Sequence, residues 1–336
     1  GFLRGRGHSE PPDITARICG ICPVAYQMSA CRAIEQACDV TVTPAIDELR
    51  RLLYCGEWIE SHALHIHMLH APDFLGVDSV VDLVAIDRAA VERGLELKKI
   101  GNELLELVGG RAIHPINVKV GGFYRAPSPH ELRAFRPRLE RSLELAVEVC
   151  EWVAAFEFPD LDTGHELVAL DDGEHYPVLG DRIVSDRGLD IVVDEFLEYA
   201  EEYQVEHSTA KHARLLSRGN YLVGPLARYS LARDRLGPVA AAAADAAGLG
   251  ASCRNPFRSI IVRAVETVHA CEEALRIVDL GPSAAPSSVE VPPSRGVGHG
   301  ATEAPRGLLY HRYELDDDGT ILDADIVPPT SQNQPT

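Results

Sequence analysis

Two cysteines near the start of the chain have the spacing of a metal or redox site. Cys19 and Cys22 are separated by two residues, and the next residue, Pro23, is of the type favoured in the first turn of a helix. Two thiolates at such a loop-to-helix junction can reach one soft metal ion, and the positive end of the helix dipole stabilises their charge. Three uses are open to this pair: a redox dithiol, a structural zinc site, or half of a four-thiolate metal site.

The rest of the sequence weighs against the first two uses. A redox dithiol is expected near a βαβ pattern, and none precedes this motif. A structural zinc site needs a second close pair of ligands, and after Cys22 no two cysteines lie three residues apart. The remaining cysteines are expected to be small buried hydrophobic residues in a reducing, cytoplasmic compartment: Cys31, Cys38, Cys55, Cys150, Cys253 and Cys271.

A group of histidines raises a second metal hypothesis. A carboxylate-bridged di-iron bundle requires two Glu-x-x-His motifs, and the chain has one, at Glu266 and His269. His114 and His311 stand apart and are expected to tie down loops or to contact a partner. The histidines of the group itself are expected on a solvated or core-edge helix face: His62, His65, His67 and His70.

The overall charge excludes two classes of partner. The chain has 336 residues, with 32 Lys and Arg against 51 Asp and Glu, which gives a net charge of −19. Nucleic acids and anionic membranes both require clustered cations, so neither is an expected partner. No apolar run reaches the roughly 18–20 residues that a membrane-spanning helix needs.

The hydrophobic pattern predicts a mainly helical fold that carries the CxxC loop. Two short hairpins are expected as well, one with its turn at residues 171–173 and one with its turn at residues 316–319. Apolar residues and proline positions indicate seven helices, over residues 24–38, 45–70, 78–108, 131–156, 193–203, 238–247 and 256–278.

The residues around the CxxC pair resemble a known motif. Residues 13–25, Asp-Ile-Thr-Ala-Arg-Ile-Cys-Gly-Ile-Cys-Pro-Val-Ala, are similar to the first metal-binding motif of the large subunit of nickel–iron hydrogenases. The resemblance extends in order along nearly the whole chain and is closest to the cytoplasmic, NAD(P)-linked branch. The further matching segments are Gly5-Arg6, residues 70–73, residues 110–122, Gly224-Pro225-Leu226-Ala227-Arg228, Glu303-Ala304-Pro305-Arg306-Gly307 and residues 327–333.

The resemblance assigns roles to the two cysteines and to one arginine. Cys19 takes the place of a terminal nickel ligand, and Cys22 that of a thiolate shared between nickel and an iron that carries cyanide and carbon monoxide. Arg306 is expected over the open face of the metals, where it acts in splitting dihydrogen. A guanidinium in that place adds a fixed positive field and can donate to cyanide nitrogens.

Four further residues are implicated by the same resemblance. Pro305 is expected to line the iron pocket, and Thr330, with its neighbour Ser331, to contact the second cyanide. Asp73 matches a carboxylate that pairs with the arginine of the site. Magnesium is a further candidate cofactor.

The chain also departs from the family pattern. Tyr26 stands where the family often has a histidine. The second motif, Asp-Pro-Cys-x-x-Cys-x-x-His, and the N-terminal glutamate motif for proton exit are absent. The chain therefore supplies half of the expected thiolate set. We expect residues 1–336 to form a single large-subunit domain that is incomplete at both ends.

The resemblance implies an oxidoreductase of the mainly α, bundle-like hydrogenase fold. The expected reaction is reversible heterolytic cleavage of dihydrogen, with electrons passed through an iron–sulfur small subunit to NAD(P) by way of diaphorase subunits. The alternative is a non-catalytic scaffold subunit of a hydrogenase-like or NADH dehydrogenase-like complex. Because Cys19 and Cys22 are present, the sequence favours the enzyme.

Overall fold

The computed structural model describes residues 1–281 and 286–336, and most of its ordered segments are helices. Turns of 3₁₀ helix cover Val193–Glu195, Arg233–Arg235 and Pro256–Arg258. The α-helices are α1 (Pro11–Thr15), α2 (Pro23–Ala37), α3 (Pro44–Leu64), α4 (Ala71–Leu75), α5 (Val80–Ile86), α6 (Arg88–Gly109), α7 (Pro129–Ala154), α8 (Phe196–Tyr199), α9 (Pro225–Ala232), α10 (Pro238–Ala246), α11 (Ser259–Leu280) and α12 (Pro329–Asn333).

Four small sheets accompany these helices. The strands are β1 (Val118–Lys119), β2 (Gly122–Phe123), β3 (Glu166–Asp171), β4 (Arg182–Ser185), β5 (Asp190–Val192), β6 (Ala200–Tyr203), β7 (His212–Leu215), β8 (Tyr221–Leu222), β9 (Gly296–Ala304), β10 (Gly307–Leu315) and β11 (Ile321–Val327). The three-stranded sheet has the order β11-β10-β9, and the four-stranded sheet has the order β5-β4-β3-β8. The pairs β1–β2 and β6–β7 form separate ribbons.

The long helices form the core that carries the rest of the chain. α3 packs against α6 and α11, and α11 also packs against α7. The approach of α3 to α6 depends on Gly101, because a Cβ there would lie 2.7 Å from the backbone nitrogen of Glu60. No helix in the described ranges is both long and apolar enough to cross a membrane.

The predicted mainly helical class is confirmed, and so are both hairpins. β3 pairs antiparallel with β4, and β10 with β11. Four helices lie within about two residues of their predicted bounds: α2, α7, α10 and the core of α11. The expectation of one domain over residues 1–336 stays a prediction.

Three predicted helices differ from those observed. The segment 45–70 is α-helical to Leu64 and continues as a π-helical turn over His65–His70. The segment 78–108 is divided at Asp87, whose side chain caps α6 by accepting the N–H of Ala90. The segment predicted as a helix over 193–203 ends as strand β6, because Ala200 is extended and pairs with Leu215 of β7.

The sequence analysis missed strand β9, which packs against α2. Gly296, Gly298 and Gly300 alternate along this strand and face α2. A Cβ on Gly298 would lie 2.0 Å from the carbonyl oxygen of Ala33, so α2 can lie on the strand only where side chains are absent. The Gly-x-Gly-x-Gly alternation is the signal that could have identified this strand.

Candidate metal centre

The CxxC loop ends directly on the first turn of α2. Cys22 is the N-cap residue and Pro23 is the first helical residue, as the sequence predicts. The Sγ of Cys19 accepts the backbone N–H groups of Ile21 and Cys22, each at 3.4 Å. Both thiols are partly accessible and neither is in a disulfide. The loop therefore presents two free sulfur atoms side by side at a helix start.

The two thiols have opposite protonation preferences. The Cys22 thiol donates to Cys19, and this hydrogen bond, with the two backbone N–H groups, lowers the pKa of Cys19 to about 5. Donation to Cys19 and burial raise the pKa of Cys22. The positive charge of Arg306 lowers the pKa of both thiols. One thiolate at neutral pH, next to a second thiol, is suitable for a soft metal ion.

A buried carboxyl from the core holds the start of α2. Glu57 on α3 accepts the backbone N–H of Val24 at 2.7 Å and that of Ala25 at 3.3 Å. These are two of the first N–H groups of α2, which have no partner within the helix. Burial raises the pKa of Glu57 well above its usual value. The carboxyl thus acts as the N-cap acceptor that the side chain of Cys22 does not provide.

Arg306 lies in the tight turn between β9 and β10, beside the cysteine loop. Its side chain is exposed and forms no hydrogen bond or ion pair among the described residues. Its carbonyl oxygen accepts from Asn333, and a Cβ on Gly224 would lie 2.6 Å from that same oxygen. Gly224 has φ +110°, a conformation suited to glycine. The backbone of Arg306 is therefore tightly enclosed while its guanidinium stays free.

Behind this turn lies a fully buried polar network that the sequence analysis did not identify as a unit. Arg228 of α9 binds both carboxylate oxygens of Glu266 at 2.7 Å and the carboxylate of Glu303 at 2.9 Å. Its guanidinium carbon lies 4.5 Å from the ring centre of Trp58, and the Tyr176 hydroxyl donates to Glu266. Two of the sequence motifs, at residues 224–228 and 303–307, thus meet in the core.

Pro305 is buried and its carbonyl oxygen faces this network. Arg228 donates to it at 3.1 Å and Arg263 of α11 at 3.3 Å. Burial and the nearby charges of Arg228 and Arg306 lower the pKa of Arg263 to about 9, so Arg263 is cationic at neutral pH. Pro305 and Arg306 thus share one turn, and that Cys19, Cys22, Pro305 and Arg306 form one metal site stays a prediction.

The other residues named from the sequence are placed differently. Thr330 is exposed at the start of α12, whereas Ser331 is buried and its hydroxyl donates to the carbonyl of Pro328. Asp73 is exposed on α4, and within the described residues its carboxylate is in no ion pair. The structure does not pair Asp73 with Arg306.

The expectation of a solvated or core-edge face is wrong for His62 and His67. Both are buried, because α3 and the π-helical turn lie between other helices. His62 Nε2 lies 3.0 Å from a Glu266 oxygen. The π-helical turn also brings His65 and His70 together, with their Nε2 atoms 3.1 Å apart.

Of the two other histidine expectations, the one for His114 is confirmed and the one for His311 is wrong. His114 ties down a loop, since its Nδ1 lies 2.8 Å from the carbonyl oxygen of Ala16, close to the cysteine loop. His311 is fully buried on β10 against Tyr26, and its Nδ1 lies 3.0 Å from the Tyr313 hydroxyl.

The residues present fit a nickel–iron centre in part. A thiolate and a neighbouring thiol are appropriate donors, and the cationic Arg306 beside them favours an anionic metal group. Across residues 1–281 and 286–336, no three or more His, Cys, Asp or Glu residues form a further metal-binding group. The described residues thus offer two thiol donors, Cys19 and Cys22, at this site. The fold and this site define a helical metalloprotein subunit.

Comparisons with known proteins place this chain in a family. The profile of the nickel-dependent hydrogenase family matches residues 1–94. The alpha chain of sulfhydrogenase 1 of Pyrococcus furiosus is 32% identical over 333 residues, covering 98% of this chain and 77% of the relative. The vhu F420-non-reducing hydrogenase of Methanococcus voltae contains a subunit that is 31% identical over 363 residues, covering 100% of this chain and 86% of the relative.

A solved structure agrees with these relatives. The NAD⁺-reducing [NiFe]-hydrogenase in its H2-reduced state matches with a TM-score of 0.87 and 26% identity, over 99% of this chain and 80% of that chain. The chain belongs to the nickel-dependent hydrogenase family. It is an oxidoreductase, the catalytic subunit of a nickel–iron hydrogenase, and the non-catalytic scaffold is not favoured.

Proposed function

We propose that this chain splits dihydrogen heterolytically at a nickel–iron centre held by Cys19 and Cys22. The observation that supports this most directly is the thiolate of Cys19, with its pKa near 5, beside a second thiol and under the charge of Arg306. When bound, the metal pair supplies a Lewis acid that polarises dihydrogen. The chain's own residues hold the sulfur atoms, set the local charge and handle the proton.

Each part of the chain has a separate task in this proposal. The N–H groups of Ile21 and Cys22 stabilise negative charge on Cys19 at 3.4 Å and fix its orientation. Arg306, free of any partner in the described residues, supplies a positive field that stabilises developing negative charge, and the thiolate of Cys19 is the base that takes up the proton. Pro305 forms the wall of the pocket behind it.

The finer ligand assignments belong to the same proposal. We place cyanide and carbon monoxide on the iron, with Arg306 and Thr330 as donors to the cyanides. Thr330 is suited to this because its side chain is exposed and has no hydrogen bond among the residues described. The Ser331 hydroxyl already donates to Pro328, so Ser331 contributes through its position next to Thr330. Magnesium is an additional cofactor in this proposal.

Electrons leave through an iron–sulfur small subunit in this proposal, and then pass to NAD(P) through diaphorase subunits in the cytoplasm. The likeness to the NAD⁺-reducing [NiFe]-hydrogenase, at TM-score 0.87, supports this acceptor. The relative named F420-non-reducing hydrogenase identifies the alternative of another electron acceptor. Assays of the purified complex with NAD⁺, NADP⁺ and an artificial dye separate these acceptors.

The ligand assignment is tested by metal content. The complex is purified with the native chain, Cys19→Ser, Cys22→Ser, and Cys38→Ser as the matched control at a cysteine far from the motif. We expect nickel and deuterium–proton exchange to be lost in the first two variants and kept in the control. Full nickel content in Cys19→Ser and Cys22→Ser would contradict the assignment.

A further inference from the structure

Arg263 is a buried cation without a carboxylate partner among the described residues. It is 8% exposed on α11, and within the described residues the only hydrogen bond of its side chain runs from Nη1 to the carbonyl oxygen of Pro305. Its Nε has no partner, and no carboxylate lies within ion-pair distance among the same residues. A buried charge without a direct counter-charge is costly, so it is not explained by stability alone.

The groups around Arg263 are those that face the candidate site. Helix α11, which carries Arg263, packs against the π-helical turn, and the Nη1 of Arg263 donates to Pro305 in the turn that carries Arg306. Arg263 therefore connects these two segments. Burial lowers the pKa of His65 and His70, and the charge of Arg263 lowers it further. The carboxylate of Glu266 acts on Arg263 through its negative charge. Both of its oxygens are already bound by Arg228.

The Pro305 carbonyl is held from two sides. Arg228 donates to it at 3.1 Å and also donates to the Ala304 carbonyl at 3.0 Å. Arg228 cannot shift, because Glu266, Glu303 and Trp58 fix it in the core. Arg263 on α11 is the second donor to the same carbonyl. The peptide that precedes Arg306 is thereby fixed in orientation.

On the other side of Arg306, the following peptide is fixed as well. The Arg306 carbonyl accepts from Asn333 at 3.2 Å and lies against Gly224, where a Cβ would be 2.6 Å away. Both peptide planes that define the Cα of Arg306 are thus held by named contacts. The direction of the Cα–Cβ bond of Arg306, from which its side chain starts, follows from them.

We propose that Arg263 is a positioning residue, which holds the Pro305 carbonyl and thereby keeps the Arg306 guanidinium over Cys19 and Cys22. This inference rests on the proposed function, in which Arg306 acts on dihydrogen. Arg263 itself touches neither the sulfur atoms nor the gas. Its charge adds to the positive field at the site, and its hydrogen bond fixes the geometry.

Three variants separate these two contributions. Arg263→Met removes both donor and charge, Arg263→Gln keeps a donor without charge, and Arg263→Lys keeps a donor and the charge. Arg276→Met, at an exposed position on the same helix, is the matched control. The purified complex of each variant is measured for nickel content, for kcat and KM with dihydrogen, and, by mass spectrometry, for amide exchange of the segment 305–308, whose exchangeable N–H groups belong to Arg306, Gly307 and Leu308.

We expect Arg263→Met to lower kcat by about 10-fold to 100-fold, because small displacements of a catalytic group have effects of this order. KM for dihydrogen and nickel content stay within twofold, and amide exchange of residues 305–308 becomes faster. Arg263→Lys restores kcat to within about threefold, and Arg276→Met resembles the native chain. If Arg263→Met does not accumulate, Arg263→Gln carries the test, with an intermediate loss of kcat and the same faster exchange.

Two outcomes would overturn the inference: unchanged kcat and exchange in Arg263→Met, or equal losses of kcat in the Met and Lys variants. The proposed function fails in a different manner. If the native complex holds no nickel and does not turn over dihydrogen, but exchange at residues 305–308 still rises in Arg263→Met, then Arg263 positions the turn and the assigned reaction is wrong.

Discussion

Glu57 on α3 accepts a hydrogen bond from the backbone N–H of Val24 at 2.7 Å, two residues beyond Cys22. A second bond from Ala25 at 3.3 Å uses the other carboxyl oxygen. Through this pair of bonds, the core of the protein fixes the helix start that the metal-binding loop depends on. The carboxyl replaces a local cap, so its effect reaches the sulfur atoms through the backbone and not by contact.

Glu57 gives the first prediction. Glu57→Ala leaves two buried N–H groups without an acceptor, and we expect a loss of about 1–3 kcal/mol in the free energy of unfolding. Glu57→Gln keeps one acceptor oxygen and is expected to lose less than half of that. Urea denaturation of the chain measures both. Equal losses in the two variants would show that one acceptor oxygen is not enough to hold the helix start.

Arg306 gives the second prediction. Its guanidinium has no structural partner in the described part of the chain, so Arg306→Met should leave folding and nickel content unchanged. Deuterium–proton exchange should fall by about 10²–10³-fold, the range seen when one stabilising group of a reaction centre is removed. Arg88→Met, at an exposed arginine on α6, is the control. Retention of more than half of the activity in Arg306→Met would remove Arg306 from the mechanism.

The buried network gives the third prediction. Glu266→Gln leaves Arg228 with reduced compensation in the core, and we expect a loss of about 3–5 kcal/mol in the free energy of unfolding. Tyr176→Phe removes one hydrogen bond to the same carboxylate and should lose about 1.5–3 kcal/mol. Denaturant titrations rank the two. The opposite order would mean that Glu266 is not the main anion facing Arg228.

His311 gives the fourth prediction, which concerns pH. Burial lowers the pKa of His311 to about 3 from its ordinary 6.5. The imidazole therefore binds a proton near pH 6.5 in the unfolded chain but not in the folded chain. The free energy of unfolding consequently falls as pH falls from about 6.5 towards 3. Each such histidine contributes a slope of about 1.4 kcal/mol per pH unit.

The measurement is the free energy of unfolding at pH 7, 6, 5 and 4. His311→Gln should reduce the slope below pH 6.5 by about one proton. His130→Gln, at an exposed position on α7, is the matched substitution. Burial also lowers the pKa of His62, His67 and His269 to about 4, so a slope remains in His311→Gln. If the free energy of unfolding has the same pH slope in the native chain and in the variant, His311 is protonated in the folded chain as well.

Strand β9 gives the fifth prediction. Gly298→Ala puts a Cβ 2.0 Å from the carbonyl oxygen of Ala33, and we expect a loss of about 2–3 kcal/mol as α2 is displaced. Gly250→Ala meets only an ordinary contact, 3.9 Å from the carbonyl of Ser252, and should be neutral or slightly stabilising. Thermal unfolding of the two variants makes the comparison. A tolerated Gly298→Ala would show that β9 can move away from α2.

The sequence by itself determined the mainly helical class, both hairpins and the paired cysteines at a helix start. Those features are local: they depend on helical periodicity, on Asp–Gly turns and on Pro23 next to Cys22. The resemblance that named Arg306 likewise depends on short runs of residues. Each such signal lies within about a dozen residues, so it can be recognised without knowledge of the fold.

The tertiary structure alone decided what surrounds those residues. Arg228, Arg263, Glu57 and Glu266 come from three different helices, and no spacing in the sequence indicates that they converge around the site. It also placed His62 and His67 in the core and turned residues 200–203 into a strand, because pairing and packing with distant segments override local propensity. The position of the two cysteines at a helix start is thus a local property of the sequence, whereas the contacts that orient them form only when the chain folds.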